Sequence, residues 1–275
     1  MALPMMGPQG LRMETSRRDL VKQTGALMIG AGFAAVAQAV AQPSAATAQK
    51  PPALPWPFQP VDPVKAAQAA YDHYYAGGCM FATFEGVTGQ LRETIGYPYT
   101  SFPTYMLMYG EAGVADTATL CGALNGAAAA IYLMAGGIRP ERKEIAFAMI
   151  RELFTWYEQT ELPDFEPEVS MFDIVKSVAH SPLCHASITN WCKAAKVKTH
   201  SPERAERCAW LCGSVARQTI KLLNENAKGS FKPAAVLSTE TQTCRSCHNS
   251  ELDNTRGSME CGSCHFTPPA THSKL

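Results

Sequence analysis

Two five-residue motifs near the end of this 275-residue chain each pair two thiols with an adjacent imidazole. Residues 244–248 read Cys-Arg-Ser-Cys-His and residues 261–265 read Cys-Gly-Ser-Cys-His. Cysteines at this spacing can add across the vinyl groups of one haem, and the histidine that follows can bind its iron. The sequence therefore predicts two covalent haems c, attached through Cys244, Cys247, Cys261 and Cys264, with His248 and His265 as proximal ligands.

The same four cysteines also come close to a zinc-ribbon pattern, because 13 residues separate two Cys-x-x-Cys pairs. Zinc, however, does not require a histidine directly after each pair. Residues 238–275 are polar and almost without aliphatic side chains, so this segment cannot bury enough apolar area to fold by itself. Two large porphyrins would supply the missing core, and we therefore favour haem over zinc.

The two predicted haems must lie close together, since residues 249–260 span at most roughly 40 Å even when fully extended. Each iron also needs a sixth ligand or an open face. His272, seven residues after the second motif, is the candidate for one distal ligand, and a solvated tail histidine is the alternative. For the second distal ligand we name only His73, although a histidine on a helix face is more often a surface residue.

Six further cysteines lie upstream of the two motifs without any Cys-x-x-Cys spacing. Cysteines scattered over helices are usually small core residues. Thiolates are also the ligands that iron–sulfur clusters require. Glycines stand beside Cys79 and Cys121, and they would let the backbone approach a bulky group closely.

The first 48 residues predict an export signal. Arg17 and Arg18 precede a run of small apolar residues at 24–41, and Ala-x-Ala sites follow. The arginine pair resembles the twin-arginine signal, which exports chains that are already folded. Because the apolar run is short and contains Gln38, we expect export to the periplasm rather than a stable membrane anchor.

The mature chain divides into three parts. Residues 49–63 carry six prolines and should run extended, either on their own domain or on a neighbouring subunit. Residues 64–232 read as a helical domain without an alternating strand pattern. Residues 233–275 form a short, mostly irregular dihaem segment. The fold class is therefore all-α, with helices expected at about 63–76, 79–95, 115–135, 140–160 and 202–226.

Composition excludes two classes of protein. With 46% hydrophobic and 17% charged residues, most of the chain is not disordered. The 24 basic and 24 acidic side chains balance, whereas a nucleic-acid binder needs a basic surplus to neutralise phosphates. We therefore expect no nucleic-acid partner.

The helical part resembles the family of redox proteins named for a Cys, Gly-Cys-Ala-x-x-Gly, Cys, Cys pattern. In this chain the middle element has the order Cys-Gly-Ala. With its two C-terminal haem motifs, the mature chain as a whole resembles the split-Soret cytochromes c. The residues that carry the likeness to the first family are Gly78, Cys79, Cys121, Gly122, Ala123, Gly126, Cys192 and Cys208.

This resemblance implies an exported homodimer with two stacked haems in each subunit. Each haem would be ligated by two histidines, with one axial ligand supplied by the partner subunit. The resemblance also implies a place for an iron–sulfur cluster in the helical domain. The favoured cluster ligands are Cys121, Cys184, Cys192 and Cys208, with Cys79 as the alternate.

The sequence thus predicts a periplasmic electron carrier that exchanges single electrons with redox partners and with a cluster. The alternative is an enzyme, a small haem oxidoreductase that acts on nitrogen oxides or peroxide at an open iron. Such an enzyme would need a distal acid or base, and the sequence contains no clustered constellation of that kind.

The first prediction is that the mature protein carries two covalently attached haems. Mass spectrometry under denaturing conditions should therefore find the mass of the chain plus two haems. Replacing His248 or His265 should remove an axial bond while leaving the thioethers possible. A mass without two added haems would contradict the haem assignment.

Overall fold

The computed structural model describes residues 52–248, 256–262 and 264–265. The predicted export signal and the distal-ligand candidate His272 lie outside these residues. Within the described ranges no helix is long and apolar enough to cross a membrane.

Helices dominate the described part of the chain, which confirms the predicted all-α fold. The two short strands are β1 (Glu161–Leu162) and β2 (Ser177–Val178), which pair antiparallel. The helices are α1 (Pro63–Thr94), a 3₁₀ helix (Thr104–Gly110), α2 (Gly122–Ala135), α3 (Pro140–Gln159), α4 (Cys184–Ala195), α5 (Pro202–Ala227) and α6 (Thr239–Arg245).

The two longest helices begin where their sequences predict. The carboxylate of Asp62 accepts hydrogen bonds from the backbone N–H groups of Val64 and Lys65, and Pro63 occupies the first turn of α1. Ser201 caps α5 in the same way, again with a proline directly after the cap. Such caps satisfy N–H groups that have no partner inside the helix, and proline loses nothing at this position.

Helix α1 is bent at Gly77 and Gly78, where the sequence predicted a break between two helices. Gly78 has φ +74°, a conformation that side chains other than glycine rarely adopt. A Cβ atom at this position would also lie 2.8 Å from the Cβ of Glu111. The helix resumes at Cys79, so this cysteine stands at the beginning of a new helical segment.

The start of one predicted helix was wrong, and another helix of the domain was not predicted. The helix expected from 115 begins only at Gly122, because residues 112–116 and Ala118 all have positive φ. This left-handed turn is closed by hydrogen bonds from Ala118 N to Ala112 O and from Thr119 N to Gly113 O, both 3.0 Å. Helix α4 was not predicted, since its β-branched and polar residues have low helix propensity.

The proline-rich segment before α1 packs on its own domain. Trp56 is buried, and its backbone N–H donates to the carbonyl oxygen of Leu133 at 2.7 Å. The Tyr99 hydroxyl donates to the Pro57 carbonyl oxygen at 2.8 Å, and the Trp56 and Tyr99 rings meet edge to face. Of the two placements left open by the sequence, the structure has the intramolecular one.

The core lies between α1, α2, α3 and α5, and α2 approaches α1 through two glycines. A Cβ atom at Gly126 would collide with the carbonyl oxygen of Met80, and one at Gly122 would collide with the Sγ atom of Cys79. The glycines therefore allow backbone contact between the two helices beside Cys79. The predicted approach of a bulky group to these glycines stays a prediction.

We predict that Gly126→Ala lowers the free energy of unfolding by about 1 to 3 kcal/mol, because a backbone carbonyl cannot yield to the added methyl group. The matched control is Gly89→Ala in the same core helix pair, where nothing lies within 4 Å of the added Cβ. It should stabilise α1 by about 0.5 to 1 kcal/mol. Chemical denaturation measures both, and equal effects would contradict the packing argument.

Candidate metal centres

Three cysteines stand at the beginnings of helical segments. Cys79 follows the bend in α1, Cys121 is the residue before α2, and Cys184 is the first residue of α4. The backbone N–H groups of Leu124 and Ala112 act to lower the pKa of Cys121 and of Cys79 respectively, against the larger effect of burial. The positive end of a helix and such N–H groups favour the thiolate form of cysteine.

A short stretch of paired backbone brings Cys121 and Cys184 together. Leu120 and Leu183 form an antiparallel bridge directly before the two cysteines. The N–H of Cys121 donates to Pro182 O at 2.9 Å, and that of Cys184 donates to Thr119 O at 2.7 Å. The left-handed turn at 112–118 leads into this bridge, so it positions two helix N-termini side by side.

Cys208, in the first half of α5, is the common neighbour of the upstream thiols. Its charge raises the pKa of each of the other five. Interactions of this kind join every pair among Cys79, Cys121, Cys184 and Cys208, and they also join Cys212 to Cys79, Cys121 and Cys208. Cys192 interacts with Cys208 alone among the thiols.

Of the favoured cluster candidates, Cys121, Cys184 and Cys208 thus interact electrostatically with one another and with the alternate Cys79, whereas Cys192 interacts only with Cys208. Burial raises the pKa of the Cys79 thiol to about 12, and repulsion from Cys121 and Cys208 adds to this. Burial also raises the pKa of Cys121 and Cys184. Neutral thiols are thus favoured unless a positively charged group binds them.

Arg204 and Arg207 of α5 lie beside these thiols. Arg207 is only 1% exposed, and its positive charge lowers the pKa of Cys121, Cys184 and Cys192 against the larger effect of burial. Its Nη2 donates to Ser187 Oγ at 2.9 Å. Its Nε has no hydrogen-bond partner. Arg207 therefore places a buried positive charge beside the thiols.

This donor set fits an iron–sulfur group. Thiolates are the ligands that such clusters take, and a buried guanidinium suits a group of net negative charge. Among the described residues, no three His, Cys, Asp or Glu side chains are arranged to hold a single metal ion. A cluster distributes its ligands over several iron atoms.

The two haem motifs fold alike. In each, the histidine N–H donates to the carbonyl oxygen of the first cysteine, at 2.9 Å for His248 and 3.0 Å for His265. The N–H of the second cysteine donates to the same carbonyl oxygen, at 3.2 Å for Cys247 and 3.1 Å for Cys264. A single helical turn thus brings both thiols and the imidazole within reach of one porphyrin, which fits covalent attachment of haem.

The motifs are also neighbours in space. The thiols of Cys244 and Cys261 interact, and the Cys261 N–H donates to the Thr241 hydroxyl at 3.0 Å. The expectation of closely spaced haems therefore agrees with the positions of their attachment residues.

Glu260 joins this segment to the helical domain. Its carboxylate accepts hydrogen bonds from Ser238 and Thr241 around α6 and from Gln159 at the end of α3. Its N–H donates to Glu158 Oε1 at 3.2 Å. Burial, and then the charge of Glu260, raises the pKa of Glu158 to about 7. Burial also acts to raise the pKa of Glu260, but its hydroxyl donors outweigh it and lower that pKa.

A cavity of about 690 Å³ lies between the second motif, α4 and the end of α3. Cys264, His180, His185 and Glu158 line it. The volume is in the range of small-molecule and cofactor sites. The sequence pattern predicts no role for either histidine, and its only signal is the position of His185 directly after Cys184. His73 lies on α1 beside Phe81 instead.

Buried thiols from four helices beside two Cys-x-x-Cys-His turns define a cysteine-rich redox protein with haem-attachment sites. The sequence matches the model of the redox-active protein family C_GCAxxG_C_C over residues 81–225, beginning two residues after Cys79. It is 35% identical to split-Soret cytochrome c from Desulfovibrio desulfuricans, over 96% of this chain and 99% of that protein. The chain belongs to the split-Soret cytochrome c family.

Comparison with a solved structure supports the same family. A structure of split-Soret cytochrome c from Desulfovibrio desulfuricans, described as having a novel iron centre, matches with a TM-score of 0.70 and 34% identity. The match covers 78% of this chain and 92% of that chain. The resemblance predicted from the cysteine and haem motifs is confirmed, and with it a redox, electron-transfer role.

We predict that Glu158→Gln removes a pH dependence of stability between pH 4.5 and about 7. A raised carboxyl pKa means that the folded state binds more protons than the unfolded state there, so stability falls as pH rises through this window. The wild type should lose roughly 2 to 3 kcal/mol between pH 5 and pH 8 relative to the variant.

Denaturant unfolding at the two pH values measures this difference. Glu260, with its lowered pKa, acts below pH 4.5 in the opposite direction and stays outside the window. Glu93→Gln, on an exposed part of α1, is the control and should keep the wild-type slope. Equal slopes for all three proteins would contradict the role of Glu158.

Proposed function

We propose that the protein is a periplasmic electron carrier with two covalent haems c and an iron–sulfur cluster in each chain. The observation that carries this proposal is the placement of two consecutive residues of α4. Cys184 is buried among the thiols, while His185 faces the cavity beside Cys264 of the second haem motif. One peptide bond thus connects the two predicted redox centres.

For the cluster we propose Cys79, Cys121, Cys184 and Cys208 as ligands. Their place at a helix N-terminus, or in the case of Cys208 beside Arg207, supports the choice. Cys192 interacts with Cys208 but with none of the other three proposed ligands. Cys212 is fully buried, and its thiol donates to Cys79 O, which supports a structural role.

For the haems we propose bis-histidine ligation. His248 and His265 are the proximal ligands, and the cavity supports His185 as the distal ligand of the haem on Cys264. We keep the stacked haems and the homodimer with a shared axial ligand as parts of this proposal. Support comes from the adjacent motifs and from the exposed surface of residues 256–259 beside them, where Met259 is 44% exposed. His272 remains a candidate outside the described residues.

The haems and the cluster, when bound, supply one-electron chemistry. The chain holds the imidazoles and thiolates in place, buries the thiols from water and fixes a positive charge beside them. Each of these contributions affects the relative stability of the oxidised and reduced states. The arginine pair of the leader, which precedes the described residues, supports export by the twin-arginine route.

One observation favours the enzyme alternative. Glu158 lines the same cavity as Cys264, and its pKa of about 7 suits a general acid or base near neutral pH. An open iron facing that carboxyl group could reduce nitrogen oxides or peroxide. The enzyme hypothesis therefore requires a five-coordinate haem in the native protein, whereas the electron carrier requires six-coordinate irons.

We predict that the purified wild-type protein is low-spin in both oxidation states and that its reduced form binds carbon monoxide poorly. His185→Ala should convert one haem per chain to a high-spin form that binds carbon monoxide rapidly. His185→Met should restore six-coordination and raise that haem's potential, because methionine is the weaker donor to ferric iron. Absorption and magnetic circular dichroism spectra measure these changes.

His200→Ala, in the exposed loop between α4 and α5, is the matched control and should resemble the wild type. Rapid stoichiometric carbon monoxide binding by the wild type would instead support the enzyme.

Sedimentation of the same samples should give a dimer. A monomer with two intact low-spin haems would contradict shared ligation.

A further inference from the structure

Arg207 carries a buried positive charge for which the described residues provide no carboxylate partner. The ion pairs of the described chain involve other arginines, namely Arg92, Arg151 and Arg217. Arg207 is 1% exposed, so water does not replace the missing anion. A buried, unpaired charge is strongly unfavourable in a folded protein.

The neutral neighbours of Arg207 satisfy only part of its guanidinium. Nη2 donates to the Ser187 hydroxyl, which also accepts from the Tyr157 hydroxyl at 2.8 Å. Cζ lies 6.0 Å from the centre of the Trp191 ring. Nε is buried and has no partner. Nε therefore retains an unused donor, and among the described residues the full charge of the guanidinium has no carboxylate partner.

The carboxylate nearest in sequence is already engaged elsewhere. Glu206 is fully buried and accepts hydrogen bonds from the hydroxyls of Tyr71 and Tyr75 at 2.8 and 2.6 Å. The Trp210 indole N–H donates to it at 3.1 Å. It forms no ion pair with Arg207 among the described contacts. The remaining groups around Arg207 that can carry negative charge are thiols, chiefly Cys208 and Cys121, and the Tyr157 hydroxyl.

We propose that Arg207 is the internal counter-ion of the thiolate-bound iron–sulfur group, a positioning residue that stabilises the reduced state of the cluster. This inference rests on the proposed cluster in the same site. Because reduction adds one negative charge, a fixed buried cation favours the reduced form more than the oxidised form. The guanidinium also makes the site selective for an anionic occupant.

Arg204, one turn earlier in α5, provides a matched comparison. Its Nε donates to the Thr199 carbonyl oxygen at 2.7 Å, and it also lies beside Cys208. It is only partly buried, so solvent screens its charge. An effect of charge alone should therefore be much smaller at Arg204 than at Arg207.

The experiment compares Arg207→Met, Arg207→Lys and Arg204→Met in the full haem-loaded chain. Non-haem iron and acid-labile sulfide are counted first, and the cluster potential is then measured by a redox titration followed by electron paramagnetic resonance. Arg207→Met should shift the oxidised-to-reduced ratio at least tenfold toward the oxidised form, or 59 mV for a one-electron couple. Arg207→Lys keeps the charge and should lie near the wild type.

Thermal unfolding with and without the cluster gives a second measurement, which a merely structural role would not reproduce. Arg207→Met should lower the melting temperature of the cluster-loaded protein. In protein whose cluster has been removed by chelation, it should leave the melting temperature unchanged or raise it, because a buried unpaired charge is replaced by an apolar side chain of similar length.

A cluster potential equal to that of the wild type, or a melting shift of the same sign and size in both states, would overturn the role of Arg207 while leaving the proposed cluster intact. A wild-type protein without non-haem iron and sulfide would overturn the cluster and the counter-ion together. Loss of the cluster from Arg207→Met but not from Arg207→Lys would support the proposal.

Discussion

The close approach of α2 to α1 determines where the thiols lie. Gly122 and Gly126 allow the two backbones to meet at Cys79 and Met80, and Cys121 is the residue directly before α2. Helix α5 packs against both, which adds Cys208 from a third direction. A side chain on either glycine would separate the helices and, with them, the thiols that we propose as cluster ligands. The arrangement of these thiols therefore follows from backbone packing.

Much of this arrangement is visible in the sequence, for physical reasons that differ from residue to residue. The Asp-Pro and Ser-Pro caps mark helix starts because they depend only on local hydrogen bonds. The haem motifs are equally local. By contrast, the left-handed turn at 112–118 places three alanines and a valine at positive φ, which their residue types do not predict, although Gly113 in the same turn favours it. Helix α4 is likewise stabilised by tertiary packing rather than by its own propensity.

The cysteines proposed as cluster ligands likewise cannot be selected from the sequence alone. Cys192 and Cys184 lie on one helix and look equivalent in sequence, but Cys184 begins α4 beside Cys121 whereas Cys192 lies two turns further along. Only the bridge between Leu120 and Leu183 distinguishes them. The sequence also indicated no role for His185, because the cavity that it lines is formed partly by Gly262 and Cys264, which are distant in sequence.

The contact between the haem segment and the helical domain consists largely of carboxylates, hydroxyls and an amide gathered around Glu260. Separating such a contact exposes little apolar surface, and water can replace each hydrogen bond that is lost. The tail can therefore part from the helical domain with little loss of apolar burial. Under the proposed function, the helical domain can be complete first and the haems can be attached to the tail afterwards.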